Sequence, residues 1–275
     1  MGCTFVGKPY ACNSKQATQE VVLDIVVCVK YVPDPNVPNE LDGKTLKREG
    51  VQGVLDPGDE FGVEAALQLK EEHGGEVTVV SMGPEPAMEA VRRALSMGAD
   101  QGVLATDEGL AGADALATAT VLSAVIARNH FDLVIAAVES TDGYTGTMPM
   151  TMAEFLGVPQ ITFVNEITES GDIFKVRRQT PEGYHIVECP LPAVMTVTAG
   201  LNEPRYASFK GIMAAKKKPT ETLSLSDIGL SADDLNVEQT VEQTTPVEES
   251  RETEMIEGHD APARIAEFLA EAKVI

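Results

Sequence analysis

Apolar, β-branched runs alternate with helical segments from residue 21 onward, and this alternation limits the fold more than any other feature. The runs VVLDIVVCVKYV, EVTVVSMG and DLVIAAV lack a polar face, as is typical of strands that are buried on both sides of a sheet. Between them lie segments with apolar residues at helical spacing and a terminal glycine, such as PAMEAVRRALSMG. The pattern predicts an α/β fold with a mostly parallel, doubly wound sheet.

The individual elements follow from the same periodicity. We expect Asp59 to cap a helix that ends near His73, QGVLA to form a short strand, and a long helix to span Ala113–Arg128. MPMTMAEFLG is predicted as a further helix. After Val158 the helical signals are few, and more strands are predicted at ITFV, IFKVRR, YHIVE and AVMTVTAG.

Three regions are predicted along the chain. Residues 1–20 lack periodicity and are expected to be a disordered extension, and residues 21–218 to be a nucleotide-binding α/β domain. Residues 219–275 are expected to be an acidic linker with a C-terminal helix at about Ala263–Ala272. The stretch Glu221–Asp260 has 12 acidic residues and one basic residue. Such a run is typical of a solvated linker, and the alternative is a tail that contacts a partner subunit.

Charge and cysteine content exclude several classes of function. The formal net charge of −22 argues against nucleic acids and anionic membrane surfaces as partners. No apolar run approaches the roughly 18 residues of a membrane helix, so membrane insertion is not expected. The cysteines have no metal-ligand spacing, which predicts no metal site and fits a reducing, cytoplasmic location; they are Cys3, Cys12, Cys28 and Cys189.

Three loops that follow predicted strands carry residues suited to a ligand. In a doubly wound sheet, ligands bind where such loops meet at the carboxyl ends of the strands. The loops are Tyr31–Pro35, Ser81–Gly83 and Glu139–Thr147, and the last has two hydroxyls and two glycines directly before a helix. Free backbone N–H groups and the helix dipole would favour a phosphate there. A capped helix with a turn explains the same residues, and both interpretations stay open.

Motifs for catalysis and for the common nucleotide folds are absent from the sequence. Neither GxGxxG nor GxxxxGK[ST] occurs, and no HExxH or GxSxG motif is present. The four histidines are scattered, and none lies beside a candidate nucleophile. These observations predict a nucleotide-binding α/β protein without visible catalytic machinery, and by themselves they do not name its function.

The segment LNEPRYASFKGIMAAKKK, residues 201–218, resembles the β subunit of heterodimeric electron-transfer flavoproteins. VCVKYVPD, VVSMGP, ALSMGAD and TDGYTGTMPMTMAEFLGVPQ are similar to further motifs of that family, in the same order. The resemblance implies an adenine-nucleotide-hydrolase-like α/β sandwich with a C-terminal arm. It also implies a carrier that takes electrons from dehydrogenases, such as those acting on acyl-CoA, and passes them to a quinone oxidoreductase.

Cofactors and their residues are also implied by the resemblance. An α subunit would share one FAD with this chain, and this chain would hold a structural AMP. The implied nucleotide-binding residues are Cys28, Asp56, Met82, Asp142, Thr145, Gly146 and Thr147. The loop Glu139–Gly146 lacks the Asn and Gln that many members have, so a second FAD, as in the bifurcating members, stays open as an alternative to AMP.

Partner contacts are implied at the segment after NEPRY, where family members present an apolar side chain to a dehydrogenase. The residues concerned here are Tyr206, Phe209, Ile212 and Met213. The alternative is that Phe209 packs on its own domain. Pro35 and Gln179 depart from the family pattern, in which an aromatic and an acidic residue are common.

Two other classes of protein share the predicted fold. A universal-stress-type nucleotide-binding module needs Gly-x2-Gly-x9-Gly followed by Ser or Thr; Gly143 and Gly146 fit, but Gly157 is one position too far and is followed by Val158. An ATP-pyrophosphatase-type enzyme needs SGGxDS after the first strand, where this chain has KYVPDP.

Overall fold

The computed structural model describes residues 22–48, 50–235, 237, 239–245 and 255–274. The extension predicted at residues 1–20 lies outside these residues. The described residues up to Thr240 belong to one compact unit, and those from Val241 onward belong to a second.

The described strands, in chain order, are β1 (Leu23–Cys28), β2 (Tyr31–Pro33), β3 (Leu41–Asp42), β4 (Thr45–Leu46), β5 (Gly53–Leu55), β6 (Gly75–Met82), β7 (Gln101–Ala105), β8 (Leu133–Ala137), β9 (Gln160–Glu169), β10 (Ile173–Thr180), β11 (Gly183–Pro190), β12 (Ala193–Val197) and β13 (Thr220–Leu223). The described α-helices are α1 (Pro57–His73), α2 (Met88–Met97), α3 (Ala115–Ile126), α4 (Met148–Leu156), α5 (Phe209–Ala215) and α6 (Ala261–Glu271).

A nine-stranded sheet with the order β11-β10-β9-β12-β8-β1-β6-β7-β13 forms the centre of the first unit. All neighbours from β9 to β13 in this order run parallel, while β10 pairs antiparallel with β9 and β11 pairs antiparallel with β10. β1 lies between β6 and β8, so the chain changes direction across the sheet at β1. The predicted α/β fold with a mostly parallel, doubly wound sheet is confirmed.

Helices cover both faces of the sheet because successive side chains of a strand point to opposite faces. Ile25 and Val27 of β1 are buried in a core that includes residues of α1 and α2. Val26 and Cys28 of the same strand are buried with residues of α3 and α4. This double burial accounts for the continuous apolar runs of the sequence.

Helix α1 begins earlier than the sequence predicts. Its N-cap is Asp56, whose carboxylate accepts a hydrogen bond from the Gly58 nitrogen, and Pro57 occupies the first turn, where a missing N–H has no cost. The prediction that Asp59 is the N-cap is wrong. Asp59 lies in the first turn and is buried.

The sheet also continues past residue 218, where the predicted linker begins. Thr220–Leu223 forms β13, which pairs parallel with β7 at the edge of the sheet. This part of the predicted linker is therefore a strand. The pattern did not reveal it because three of its four side chains are exposed.

The second unit contains α6, close to the helix predicted at Ala263–Ala272. Several of its apolar side chains are exposed, including Phe268 at 66%. Throughout the described ranges, every helix is too short or too polar to cross a membrane.

Candidate functional site

The carboxyl ends of β1 and β8 meet at the point where the chain changes direction across the sheet. Lys30 follows β1, Asp56 and Asp59 lie at the N-terminus of α1, and the loop Glu139–Thr147 connects β8 to α4. Crevices at such a point are the common ligand sites of doubly wound folds. The sequence predicts the site at this place.

Asp56 holds the loop after β8 against the N-terminus of α1. Its side chain is fully buried. One carboxylate oxygen accepts from the Gly58 nitrogen, and the other accepts from the Thr141 nitrogen at 2.7 Å and the Thr141 hydroxyl at 2.9 Å. The backbone nitrogen of Asp56 donates to the Lys30 carbonyl at 2.9 Å. The carboxylate, which we expected to contact a nucleotide, is thus engaged by the chain itself.

Asp142 is held between two cations. Its carboxylate is 2.7 Å from the Lys30 Nζ atom and 2.5 Å from the Arg48 Nη2 atom, and its side chain is almost completely buried. Burial by itself raises the pKa of Asp142, but the hydrogen bonds and charges of Lys30, Ser140 and Arg48 outweigh it and leave the pKa below its ordinary value. Asp142 therefore stays ionised and orders the loop.

Asp59 is a third buried carboxylate, and it contacts the backbone of Lys30. It accepts from the Lys30 backbone nitrogen at 2.7 Å. Burial, and then the charge of Asp56, raise the pKa of Asp59 well above its ordinary value. Burial, and then the charge of Asp59, also raise the pKa of the Cys28 thiol, so Cys28 is an unreactive thiol rather than a nucleophile.

The loop before α4 has the donors that a phosphate requires. Helix α4 starts without a side-chain cap from Thr147, which leaves backbone N–H groups of its first turn without that partner. Thr145 and Thr147 are exposed, and their hydroxyls can donate to an anion. Tyr144 and Gly146 both have positive φ, at 49° and 61°, which bends the loop around the helix start. The donor set fits a phosphate group.

The negative charge of Glu139 would repel an anion that binds at this loop. The Glu139 Oε2 atom would lie 3.5 Å from a Cβ atom placed on Gly146. Glu139 is exposed, so it can turn towards solvent when an anion binds.

Cys28 and Met82 lie on the face of the sheet that α3 and α4 cover. The Cys28 Sγ atom is 4.0 Å from the Met152 Sδ atom of α4, and Met82 is half-buried against the same core. The structure thus brings Cys28, Met82 and the helix that follows Thr145–Thr147 to one face. Cys28 is buried against α4, so the half-buried Met82 supplies the apolar side chain that a flat base could contact.

A cleft of about 690 Å³ lies on the other side of β8. Its walls come from β9, from the carboxyl ends of β8, β10 and β12, and from the α1 N-terminus. They include Gly58, Glu139, Phe163, Arg178, Gln179 and Thr198. None of the predicted nucleotide-binding residues lines this cleft. Of the predicted loop Glu139–Thr147, only Glu139 lines the cleft.

The sequence analysis did not identify two residues of the candidate site, Lys30 and Arg48. Lys30 directly follows the first predicted strand, and its position in VCVKYVPD could have indicated it. Arg48 follows the β3–β4 hairpin and reaches Asp142 across a long separation in sequence, for which no local pattern exists.

The predicted partner residues form an exposed apolar surface. Tyr206 is 92% exposed and Phe209 81% exposed, and Ile212 and Met213 are about half exposed. Phe209 begins α5, which Ser208 caps through a hydrogen bond from the Gly211 nitrogen. Phe209 does not pack on its own domain, so that alternative is wrong for the chain alone.

Lys218, which follows α5, binds the end of another helix. Its Nζ atom donates to the carbonyls of Leu95 and Ala99, at the C-terminal end of α2. Burial lowers its pKa. The cation therefore caps α2.

Asp24, His130 and Asp132 form a group with metal-ligand chemistry at the opposite, amino end of the sheet. One ligand atom from each lies within 4.8 Å of the others. Asp132 already accepts from the Asp24 nitrogen at 2.8 Å and pairs with His130 at 3.2 Å, and His130 is largely exposed. Hydrogen bonds within the protein account for this group.

Comparisons with known proteins agree with the resemblance. Residues 43–228 match the family described as "Electron transfer flavoprotein domain". The "Electron transfer flavoprotein subunit beta" of Mycobacterium bovis is 42% identical over 265 residues, which cover 92% of this chain and 99% of that protein. The protein of the same name from Thermoanaerobacterium thermosaccharolyticum is 41% identical over 217 residues, with 78% and 84% covered. The "Caffeyl-CoA reductase-Etf complex subunit CarD" of Acetobacterium woodii is 41% identical over 211 residues, with 75% and 80% covered.

Proposed function

Because the chain belongs to the electron transfer flavoprotein family, among its β subunits, we propose that it pairs with an α subunit and carries electrons from dehydrogenases to a quinone oxidoreductase. Family membership makes the chain an electron-transfer subunit. Acyl-CoA dehydrogenases are the donors we propose. The exposed surface of Tyr206, Phe209, Ile212 and Met213 is the observation that carries this proposal, since a transient carrier needs an uncovered docking site.

The proposed cofactors are an FAD shared with the α subunit and an AMP held by this chain. The FAD, when bound, accepts and releases the electrons. Thr145, Gly146 and Thr147 with the first turn of α4 would hold the AMP phosphate, and the backbone around Cys28 with the half-buried Met82 would contact the adenine. Asp56 and Asp142 would act indirectly, since their carboxylates fix the loop.

A second FAD in place of AMP is the alternative, as in a bifurcating flavoprotein. The cleft of about 690 Å³ borders the same loop at Glu139 and would give a dinucleotide room beyond the phosphate. AMP remains the first proposal because the donors at α4 suit a single phosphate.

The remaining parts of the chain fit the same proposal. The exposed apolar side of α6, which includes Ile265 and Phe268, is proposed to contact the α subunit. A reducing, cytoplasmic location is proposed because Cys28 and Cys189 are both free thiols.

Co-expression with an α subunit, followed by chromatography of the extracted nucleotides, tests the proposal. One FAD and one AMP per heterodimer would support it. Two FAD and no AMP would favour the bifurcating alternative. A colourless homodimer that binds ATP would overturn it and favour a universal-stress-type module.

A further inference from the structure

Arg205 connects helix α1 to the docking segment, residues 202–218, which carries the exposed side chains of Tyr206 and Phe209. Its guanidinium Nε atom lies 2.7 Å from the Glu64 Oε2 atom, and its Nη2 atom lies 3.0 Å from Glu64 Oε1. The backbone nitrogen of Arg205 also donates to Glu64 Oε2, at 3.1 Å. Glu64 thus accepts three hydrogen bonds from one residue, with the side-chain pair in the fork geometry that only arginine supplies.

Two further contacts fasten this segment along α1. Glu71, two turns beyond Glu64, accepts from both terminal nitrogens of Arg205, at 2.6 and 3.2 Å. Asn202 donates to the Phe61 carbonyl at 3.0 Å. Glu64 is 4% exposed, so its charge depends on Arg205 for compensation, whereas Glu71 lies at the surface.

The other end of the docking segment is fastened to α2. Gly211 lies so close to the Ser96 carbonyl that a side chain at that position would collide with it. Lys218 donates to the Leu95 and Ala99 carbonyls, as described above. The segment between the two attachments carries Tyr206 and Phe209, which are almost fully exposed.

Exposed side chains of this kind gain little order from packing on their own domain. Their orientation therefore depends on the attachments at either end. A docking segment that is already ordered loses less conformational entropy when a partner binds, and the affinity is higher for that reason.

We propose that the Glu64–Arg205 pair positions Tyr206 and Phe209 and thereby sets the affinity of the heterodimer for its electron donor. The inference rests on the docking role proposed above for Phe209. It assigns Glu64 and Arg205 as positioning residues, which do not touch the donor through their paired groups.

Hydrogen exchange of the assembled heterodimer tests the positioning without any donor. We expect Glu64→Gln to speed amide exchange in residues 206–212 by about tenfold, the effect of losing one charge-assisted hydrogen bond. Glu166→Gln is the matched control, because Glu166 of β9 pairs with Arg177 of β10 at 3.1 Å, and neither strand holds an attachment of the docking segment. Unchanged exchange in Glu64→Gln would overturn the proposal.

Steady-state kinetics then tests the consequence for docking. The donor is the acyl-CoA dehydrogenase from the same organism that reduces the wild-type heterodimer fastest. We expect Glu64→Gln to raise KM for the heterodimer by roughly fivefold or more while kcat and flavin content stay unchanged. Arg205→Lys keeps the charge but loses the fork, so it should raise KM as well, and it answers the same question if Glu64→Gln does not assemble.

Phe209→Ala separates the two proposals. If Phe209→Ala raises KM but Glu64→Gln and Arg205→Lys do not, the docking role stands and the positioning proposal is wrong. If Phe209→Ala leaves KM unchanged, the docking role is wrong and the positioning proposal falls with it.

Discussion

The carboxylate of Asp56 accepts two hydrogen bonds from Thr141, at 2.7 Å from the backbone nitrogen and at 2.9 Å from the hydroxyl. These residues are 85 positions apart in the chain. The contact joins the N-terminus of α1 to the loop that leads into α4. Asp56 is fully buried, so its carboxylate needs the hydrogen bonds from Thr141. The same hydrogen bonds fix the position of the loop.

Removing the Thr141 hydroxyl should weaken this junction. Thr141→Val deletes one of the three hydrogen bonds to a buried carboxylate, and we expect a loss of about 1–2 kcal/mol in the free energy of unfolding. For a chain of this size that lowers Tm by about 3–6 °C. Thr141→Ser keeps the hydroxyl and serves as the control in melting curves of the heterodimer. Equal Tm values for the Val and Ser variants would contradict the assigned role of the hydroxyl.

Asp59 should make stability fall as the pH rises. Its pKa in the folded protein is raised well above the ordinary 3.8. Between 3.8 and that raised pKa the unfolded chain has released the proton while the folded protein keeps it, so folding becomes less favourable with rising pH and levels off above the folded pKa. Asp59→Asn should therefore flatten the stability profile as the pH rises above 3.8.

Asp142→Asn is the control for that experiment. The pKa of Asp142 is lowered in the folded protein, so its contribution is fully present above the ordinary pKa and is lost only as the pH falls below it. Asp142→Asn should lower stability without changing the slope of the profile in the same range. If Asp59→Asn keeps the slope of the wild-type protein, the raised pKa assigned to Asp59 is wrong.

Glu139 should weaken nucleotide binding at the loop before α4. Its carboxylate faces Gly146, where the phosphate is proposed to bind. We expect Glu139→Gln to lower the Kd for AMP by about two- to fivefold, since it removes a like charge at a solvent-exposed site. Titration calorimetry of nucleotide-free heterodimer measures the change. Glu154→Gln, near the far end of α4, should leave Kd unchanged, and a weaker affinity in Glu139→Gln would show that this side chain assists binding.

Phe209 should dominate the docking surface. An aromatic side chain that is 81% exposed can supply a large part of the energy of a transient interface once a partner buries it. We expect Phe209→Ala to reduce kcat/KM for reduction by an acyl-CoA dehydrogenase by about tenfold or more, with heterodimer and flavin content unchanged. Phe155→Ala makes the same substitution at a half-exposed phenylalanine of α4. Equal losses in both variants would point to a general effect on folding.

The elements of the sheet were predictable because their signal is local. β1 and β8 are buried on both faces and appear as nearly continuous apolar runs in the sequence, and β6 and β7 are buried or half-buried over most of their length. The strand order is a different matter, since parallel neighbours such as β8 and β12 are far apart in the chain. β13 was missed because only Leu223 of its four side chains is buried.

The location of the candidate site could be predicted from the sequence, but the contacts within it could not. The loop Glu139–Thr147 could be identified because it follows a buried strand and precedes a helix. The ion pairs of Asp142 with Lys30 and Arg48 depend on tertiary geometry, which no spacing rule encodes. The N-cap of α1 was predicted at Asp59 but lies at Asp56, because Pro57 begins the helix earlier than its acidic residues suggest.

The pairing of β13 with β7 has a consequence for synthesis on the ribosome. β7 ends at Ala105, and its outer neighbour β13 begins only at Thr220. At about 5–20 residues per second, the ribosome delivers that strand on the order of ten seconds later. Throughout that interval the backbone of β7 presents unpaired hydrogen-bonding groups to other nascent chains. A chain terminated before Thr220 would never cover this edge, so premature termination there should favour aggregation even though the proposed nucleotide loop is already complete.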